Sequence, residues 1–532
     1  MIDAIGKCLL ASLAITFFAN GPQAHEPQAA AKKKPRKPTV QVTISKETTR
    51  ITKPLRADGY VDYLKALNDH AGKGVTPKNN AAVLFWRAMG PKDIEKTTSK
   101  SFYKLLKIEP LAAEGDYFID FHDYVKKQKP AATQDELDEL WYELGSAAER
   151  PWTKKDHPRL AGWLAANEKP LRLVVEGSRR PHCYWPLVGS VEDTDLISVL
   201  MPGLQGCRAF TRALCARAML HAGSGRIDEA WADVMACHRL ARLTGRGPTL
   251  IDGLVGIALE HVACKAGAAL ARHGDLSAKQ AKRFTAELVK LPRLDGMAEK
   301  FDMSERYMFL DCVRIVAQNG PDVLSQISGE VDKSWAASLR RLATNALVDW
   351  DHVLSRGNSW YDRMSAAARL PTRAGRRKAF ANISADVEKV VEETRDSKKV
   401  LARIALGESP RKVASEAIGN LFVAILLPAT STIDNAADKA TARLDLTRLS
   451  LALAALKAES GSYPAKLADL SPKYLAKVPK DVFSAADFHY RAGKGGYRLW
   501  SIGPNGRDDD GMGSDVEDYE GDGDDLLIAT GP

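Results

Sequence analysis

The chain has 532 residues, 45% hydrophobic and 27% charged, with a formal net charge of +9. That length accommodates two or more domains with full cores, and the balance excludes a disordered chain or one embedded in a membrane throughout. Residues 508–525 are rich in Asp and Glu, so the remainder is more basic than the total, but its Lys and Arg are scattered through helices without aromatic stacking partners, which argues against nucleic acid.

The N-terminus predicts an export signal over residues 1–24: Lys7, an apolar run over 8–19, then small residues and Pro22. The run is shorter than the roughly 20 residues a spanning helix needs. A periplasmic or extracellular protein with no stable membrane span after cleavage is expected, an uncleaved N-terminal anchor being the alternative. Residues 25–57, with Lys32-Lys-Lys-Pro-Arg-Lys37, lack a helical period and read as a basic, Pro-rich linker.

From Tyr60 onward apolar residues recur at helical spacing, as in Tyr60, Tyr63, Leu64, Leu67 and Ala82, Leu84, Phe85, Ala88, and Thr76-Pro77 is read as the start of the second helix. The pattern continues to predict an all-helical domain over 58–415. Within 204–292 four helices are legible, at 213–222, 227–243, 248–273 and 277–291. Cys183, Cys207, Cys215, Cys237, Cys264 and Cys312 fall mostly on apolar faces, where core packing is preferred to disulfides. A change comes at 416: an apolar stretch over 418–427, Pro428, a long amphipathic helix over 433–460 with Leu444, Leu451 and Ala455 on one face, two short helical segments at 467–470 and 472–475, and strands at 488–490 and 497–502. The expected fold class is mainly α, a helical bundle or irregular helical-repeat body followed by a small α+β module over 416–532 that folds on its own.

The chemistry gathers at the end. Strand 497–502 enters the turn Gly503-Pro-Asn-Gly506, and Asp508, Asp509, Asp524 and Asp525 cluster after it, offering the hard oxygen ligands that Ca²⁺ requires. Gly506-x-Asp508-x-Asp510-Gly511 with Glu517 fits an EF-hand loop only without its first ligand and flanking helices. His261-x-x-Cys264 with Cys237-His238 could form a zinc site if the helices are adjacent, although a satisfied core is the simpler reading. No nucleophile elbow or phosphate loop is present in the sequence.

Small residues at Ala218 and Ala230, followed by Val234 and Cys237, resemble one tetratricopeptide unit, and an irregular bundle accounts for them equally. The order apolar segment, Leu-Leu-Pro-Ala, long helix, Gly-Ser-Tyr-Pro, Leu-x-x-Leu and a hairpin carrying Tyr497-x-Leu-Trp-Ser-x-Gly503 resembles the major pseudopilins of type II secretion systems. That resemblance implies a helix packed on a small antiparallel sheet with a calcium loop whose acidic ligands correspond to Asn505 and Asp525. The chain departs from the family in lacking a long membrane-inserted helix at the head of this module, so polymerisation is not expected. Asn79-Asn80-Ala-Ala and Trp163-Leu-Ala-Ala-Asn167-Glu-Lys-Pro are similar to segments of large exported bacterial proteins that have no assigned activity. The expected function is a non-enzymatic, exported interaction or scaffold protein, linked to secretion or envelope assembly, that offers its helical body to a protein or peptide partner and carries a calcium-stabilised module. The alternative is an envelope hydrolase whose site is built from residues distant in sequence.

Overall fold

The computed structural model describes residues 42–130, 133–189, 195–199, 201–320, 348–395, 402–427, 429–493, 495–513 and 521–530. The expected signal, residues 25–41 of the linker and Glu517 lie outside them. The described chain is mainly helical with a small three-stranded antiparallel sheet near its C-terminus.

The first helices are short: α1 (Tyr63–Ala71), α2 (Ala81–Met89), α3 (Lys96–Leu106), α4 (Phe121–Gln128), α5 (Gln134–Ser146), α6 (Pro158–Ala166) and α7 (Glu168–Gly177). Side-chain caps that satisfy otherwise orphaned N–H groups set the starts of α1, α2, α4 and α5. Asp62 caps α1, and Thr133 with Glu136 forms a capping box on α5. The second helix begins later than the Thr76-Pro77 reading expected. Asn80 accepts the Ala82 N–H and is its cap, while Thr76 donates its N–H to Asn79 Oδ1 at 2.7 Å in a turn before it.

Four long helices follow, α8 (Pro202–Gly223), α9 (Ile227–Gly245), α10 (Leu250–His273) and α11 (Ala278–Lys290), the first starting well before the expected residue 213. They and the early helices enclose one core, including Phe85, Trp86, Trp163, Phe210 and Phe284. The α9–α10 crossing is tight enough to demand glycine: a Cβ on Gly256 would lie 2.7 Å from the Gly245 Cα.

A π-helical turn, Phe301–Glu305, runs into α12 (Arg306–Asn319), which packs with α13 (Trp350–Ala368), α14 (Arg373–Arg395) and α15 (Pro410–Leu426) around a second core containing Phe309, Tyr361 and Phe422. The described part of the expected linker is fixed against this core. Val42, Ile44 and Ile51 pack on it, and Asn358 Nδ2 donates to the carbonyls of Glu47 and Thr48 at 2.9 Å. The expected boundary at 416 falls inside α15, whose Ile418, Leu421 and Phe422 belong to this second core.

Helix α16 (Thr430–Ser460) is buried on two sides. Leu444, Leu451 and Ala455, the stripe legible in the sequence, face α10 and α11 and join the first core. Ala442, Leu446, Leu449 and Leu453 face the sheet, with Leu467, Leu470, Phe488, Tyr497 and Leu499. Ion pairs flank the body side: Lys282 with Glu459 at 2.5 Å and Arg293 with Asp445 at 3.1 Å. The sheet has the order β1 (His489–Gly493), β2 (Gly496–Ser501), β3 (Leu526–Thr530), the third strand being additional to the two expected. Residues 467–470 form a 3-10 turn as expected, and 472–475 carry no regular helix.

A candidate cation loop at the C-terminal sheet

Strand β2 alternates as a strand with one buried face must. Tyr497 and Leu499 point to α16, which leaves Trp500 on the opposite face, yet Trp500 is fully buried. The acidic loop covers it. Its indole N–H donates to Asp508 Oδ1 at 2.9 Å, His489 stacks on it at 5.2 Å, and the Arg491 and Arg498 guanidiniums lie 5.1 and 5.7 Å from its ring. The loop turns back through left-handed glycines, and at Gly503 (φ 64°) a Cβ would stand 2.2 Å from the Asp524 carbonyl. The end of β2 is pinned by Asp481, fully buried, which accepts Ser501 Oγ–H at 2.8 Å and the Ile502 N–H at 3.2 Å. Sequence reasoning passed over Asp481, which stands apart from the acidic run.

This fold sorts the predicted carboxylates into two sets. Asp508 and Asp510 turn to the sheet: Asp508 Oδ2 lies 3.3 Å from His489 Nδ1, and Asp510 pairs with Arg491 at 2.7 Å. The Trp500 hydrogen bond holds the Asp508 carboxyl below the usual range. Asp509, Asp524 and Asp525 converge, offering one ligand oxygen each within 4.8 Å of one another. Asp525 just precedes β3, where Leu526 pairs with Ser501, and is fully buried. Its Oδ2 accepts the N–H groups of Asp509 at 3.0 Å and Gly511 at 2.8 Å, and its Oδ1 has no hydrogen-bond partner. Burial, with the Asp509 and Asp508 charges nearby, pushes Asp525 up to about 6, and burial also raises Asp524.

Asn505 joins this second set by its nitrogen. Its Nδ2 donates to Asp509 Oδ2 at 2.8 Å and its backbone N–H to Asp524 Oδ2 at 3.0 Å, while its Oδ1 accepts the Arg507 N–H at 2.7 Å. Asn505 thus presents uncharged N–H donors to Asp509 and Asp524.

The four residues considered for zinc are arranged differently. His238 and Cys264 meet, with Glu260, in the interior. Cys237 instead turns to Cys215. Glu260 accepts His238 Nδ1–H at 2.9 Å and Arg242 at 2.7 and 3.1 Å, and these partners bring it down to about 2 against the cost of burial. Arg242 puts positive charge against the one carboxylate of this group, which opposes a metal ion. The cluster is a core ion pair joining α9 to α10.

The two segments singled out near the N-terminus also bind the fold. Asn80 holds Tyr184 by both backbone groups, accepting its N–H at 2.9 Å and donating to its carbonyl at 3.1 Å. Asn167, fully buried, does the same to Ile119, at 2.8 and 3.0 Å. Asn167 thereby shapes an open groove of about 540 Å³ between residues 115–119 and 165–172, rimmed by the Asp116–Lys169 pair and by Glu168. Glu168 reaches inward to Arg217, which also forms a buried double hydrogen bond to Asp233 at 2.7 and 2.9 Å.

No family model matches this chain, and no curated protein or solved structure is significantly similar to it.

Proposed function

We propose that this is an exported, non-enzymatic interaction or scaffold protein whose pseudopilin-like C-terminal module is stabilised by Ca²⁺ at Asp509, Asp524 and Asp525. The observation that carries the reading is Asp525 Oδ1, fully buried and unpartnered beside two further carboxylates. An unpaired buried acceptor costs about 1–3 kcal/mol, more if charged, and three converging carboxylates repel. An all-oxygen donor set fits Ca²⁺, which when bound supplies the positive charge that this loop lacks. The protein's own part is to hold the loop: Asp525 ties it to β3 through the Asp509 and Gly511 N–H groups, and Gly503 and Asp481 fix its exit from β2. The helix-on-sheet arrangement of α16 is in keeping with the pseudopilin resemblance. The groove beside Asn167 is the surface we assign to a protein or peptide partner, its rim mixing Lys169 and Arg172 with Asp116 and Glu168. Calorimetric titration of the chelator-treated full chain with Ca²⁺ tests the site. One equivalent of heat-producing uptake, with a raised melting midpoint, is expected; no uptake at millimolar Ca²⁺ refutes it.

A further inference from the structure

Helices α8 and α9 pack closely, and Ala218 of the first and Ala230, Ala236 and Ala241 of the second are all fully buried. At this seam Cys215 Sγ and Cys237 Sγ stand 3.7 Å apart, both fully buried, one on each helix and 22 positions apart in the chain. Their other contacts are long ones, from Cys237 to the Thr211 carbonyl at 3.7 Å and from Cys215 to the Val262 carbonyl at 3.9 Å. Two sulfurs already this close have to draw in to the roughly 2.05 Å of a bond.

We propose that Cys215 and Cys237 form a disulfide that staples the α8–α9 hairpin when the chain folds in an oxidising compartment. The oxidant is a disulfide, either of a small thiol or of a thiol oxidase. The Cys215 thiolate attacks one oxidant sulfur and expels the other as a thiolate, giving a mixed disulfide. The Cys237 thiolate then attacks the Cys215 sulfur and expels the second. Two protein thiols are oxidised, one oxidant disulfide is reduced to two thiols, and the two protons released from the cysteines end on those thiols. Because neither sulfur reaches solvent in the folded protein, and burial raises the Cys237 thiol far above its ordinary range, the bond forms while the hairpin is still open and is afterwards sheltered from reductants. Cys207, Cys264 and Cys312 are also buried, and Cys183 is half-buried; none of them shares such a sulfur contact among the described residues.

The test uses the full chain, unfolded and reduced, then refolded with a glutathione/glutathione-disulfide couple, alkylated after denaturation and mapped by mass spectrometry. A peptide pair joined through Cys215 and Cys237, two hydrogens lighter than its reduced form, with the other thiols alkylated, is the expected result. Alkylation of both residues, or a bridge joining either to a different cysteine, overturns the proposal. A second measurement covers variants that fold poorly. The melting midpoint of the oxidised parent should exceed that of the parent unfolded and refolded in a phosphine reductant, whereas Cys237→Ala and Cys215→Ala should show no such reductant dependence. A parent midpoint unmoved by reductant overturns the staple equally.

Discussion

Exchanging Asp525 for Asn separates the two demands that the loop makes on this side chain. The carboxylate must accept the Asp509 and Gly511 N–H groups, which an amide oxygen does as well, and it must carry a charge into a buried place beside Asp509 and Asp524, which an amide does not. Its rise to about 6 measures the second demand. Two pKa units above the usual carboxylate value correspond to about 3 kcal/mol at neutral pH. Solvent reaching the exposed Asp508 and half-exposed Asp509 screens part of this, leaving about 1–2 kcal/mol. The new amide N–H₂ also takes the place of the unpartnered oxygen and faces two carboxylates. Asp525→Asn should therefore be more stable than the parent in chelator at pH 7.5, by about 1–2 kcal/mol, and should lose most of the stabilisation by Ca²⁺. Asp525→Ala should lose the calcium response and also lose stability in chelator, because it strands two N–H groups at about 1–3 kcal/mol each. Urea denaturation followed by circular dichroism, in chelator and in Ca²⁺, reads both effects. An Asn variant less stable than the parent in chelator, or one keeping the parent's full calcium shift, refutes the reasoning.

Asn505→Asp replaces the amide nitrogen on Asp509 by a carboxylate, so it should destabilise the chelator-treated protein and tighten Ca²⁺ binding; calorimetry showing unchanged affinity excludes Asn505 from the ion's surroundings. Asp233→Ala leaves the buried Arg217 paired with the more exposed Glu168, an expected loss of about 3–5 kcal/mol by equilibrium unfolding, and a loss under about 1 kcal/mol shows the pair to be replaceable. Burial, with Arg226 and Arg217 nearby, brings His221 down to about 4, whereas an unfolded His titrates near 6.5. Its contribution is thus complete above about pH 6.5 and is lost as pH falls through about 4, up to about 3 kcal/mol, so His221→Asn should flatten this part of the stability profile. A fragment of residues 429–532 exposes Leu444, Leu451 and Ala455 and loses the Arg272 bond to the Ala529 carbonyl, so it should bind hydrophobic dye and self-associate. A monomeric fragment melting cooperatively at the full chain's midpoint shows instead that the module is autonomous.

Periodicity made the helices legible because it reports which residues of an element are apolar, and helices at 227–243, 248–273 and 277–291 appear within a few residues of their expected bounds. It does not report what an apolar stripe touches. Leu444, Leu451 and Ala455 do lie on one face of α16, but they meet α10 and α11, while the sheet is met by Ala442, Leu446, Leu449 and Leu453. A helix buried on two sides has a weak overall moment, so one stripe stands out in the sequence and the other is hidden in it. The acidic loop behaves similarly. Composition announces a cluster of carboxylates, but only the backbone reversals decide which point together, and here consecutive residues diverge: Asp508 caps an indole, Asp509 joins the trio and Asp510 pairs with Arg491. Asp481 was silent for the same reason, since a single carboxylate far from the run becomes part of the site's foundation only once β2 ends beside it. The helical body and the loop are therefore mechanically continuous: Asp525 anchors β3, the Ala529 carbonyl in β3 accepts from Arg272 in α10, and α10 carries one face of α16. Any charge change that loosens the loop acts on a strand that the body itself holds, which is why the proposed calcium binding should register in the unfolding of the whole chain and not of a detached tail.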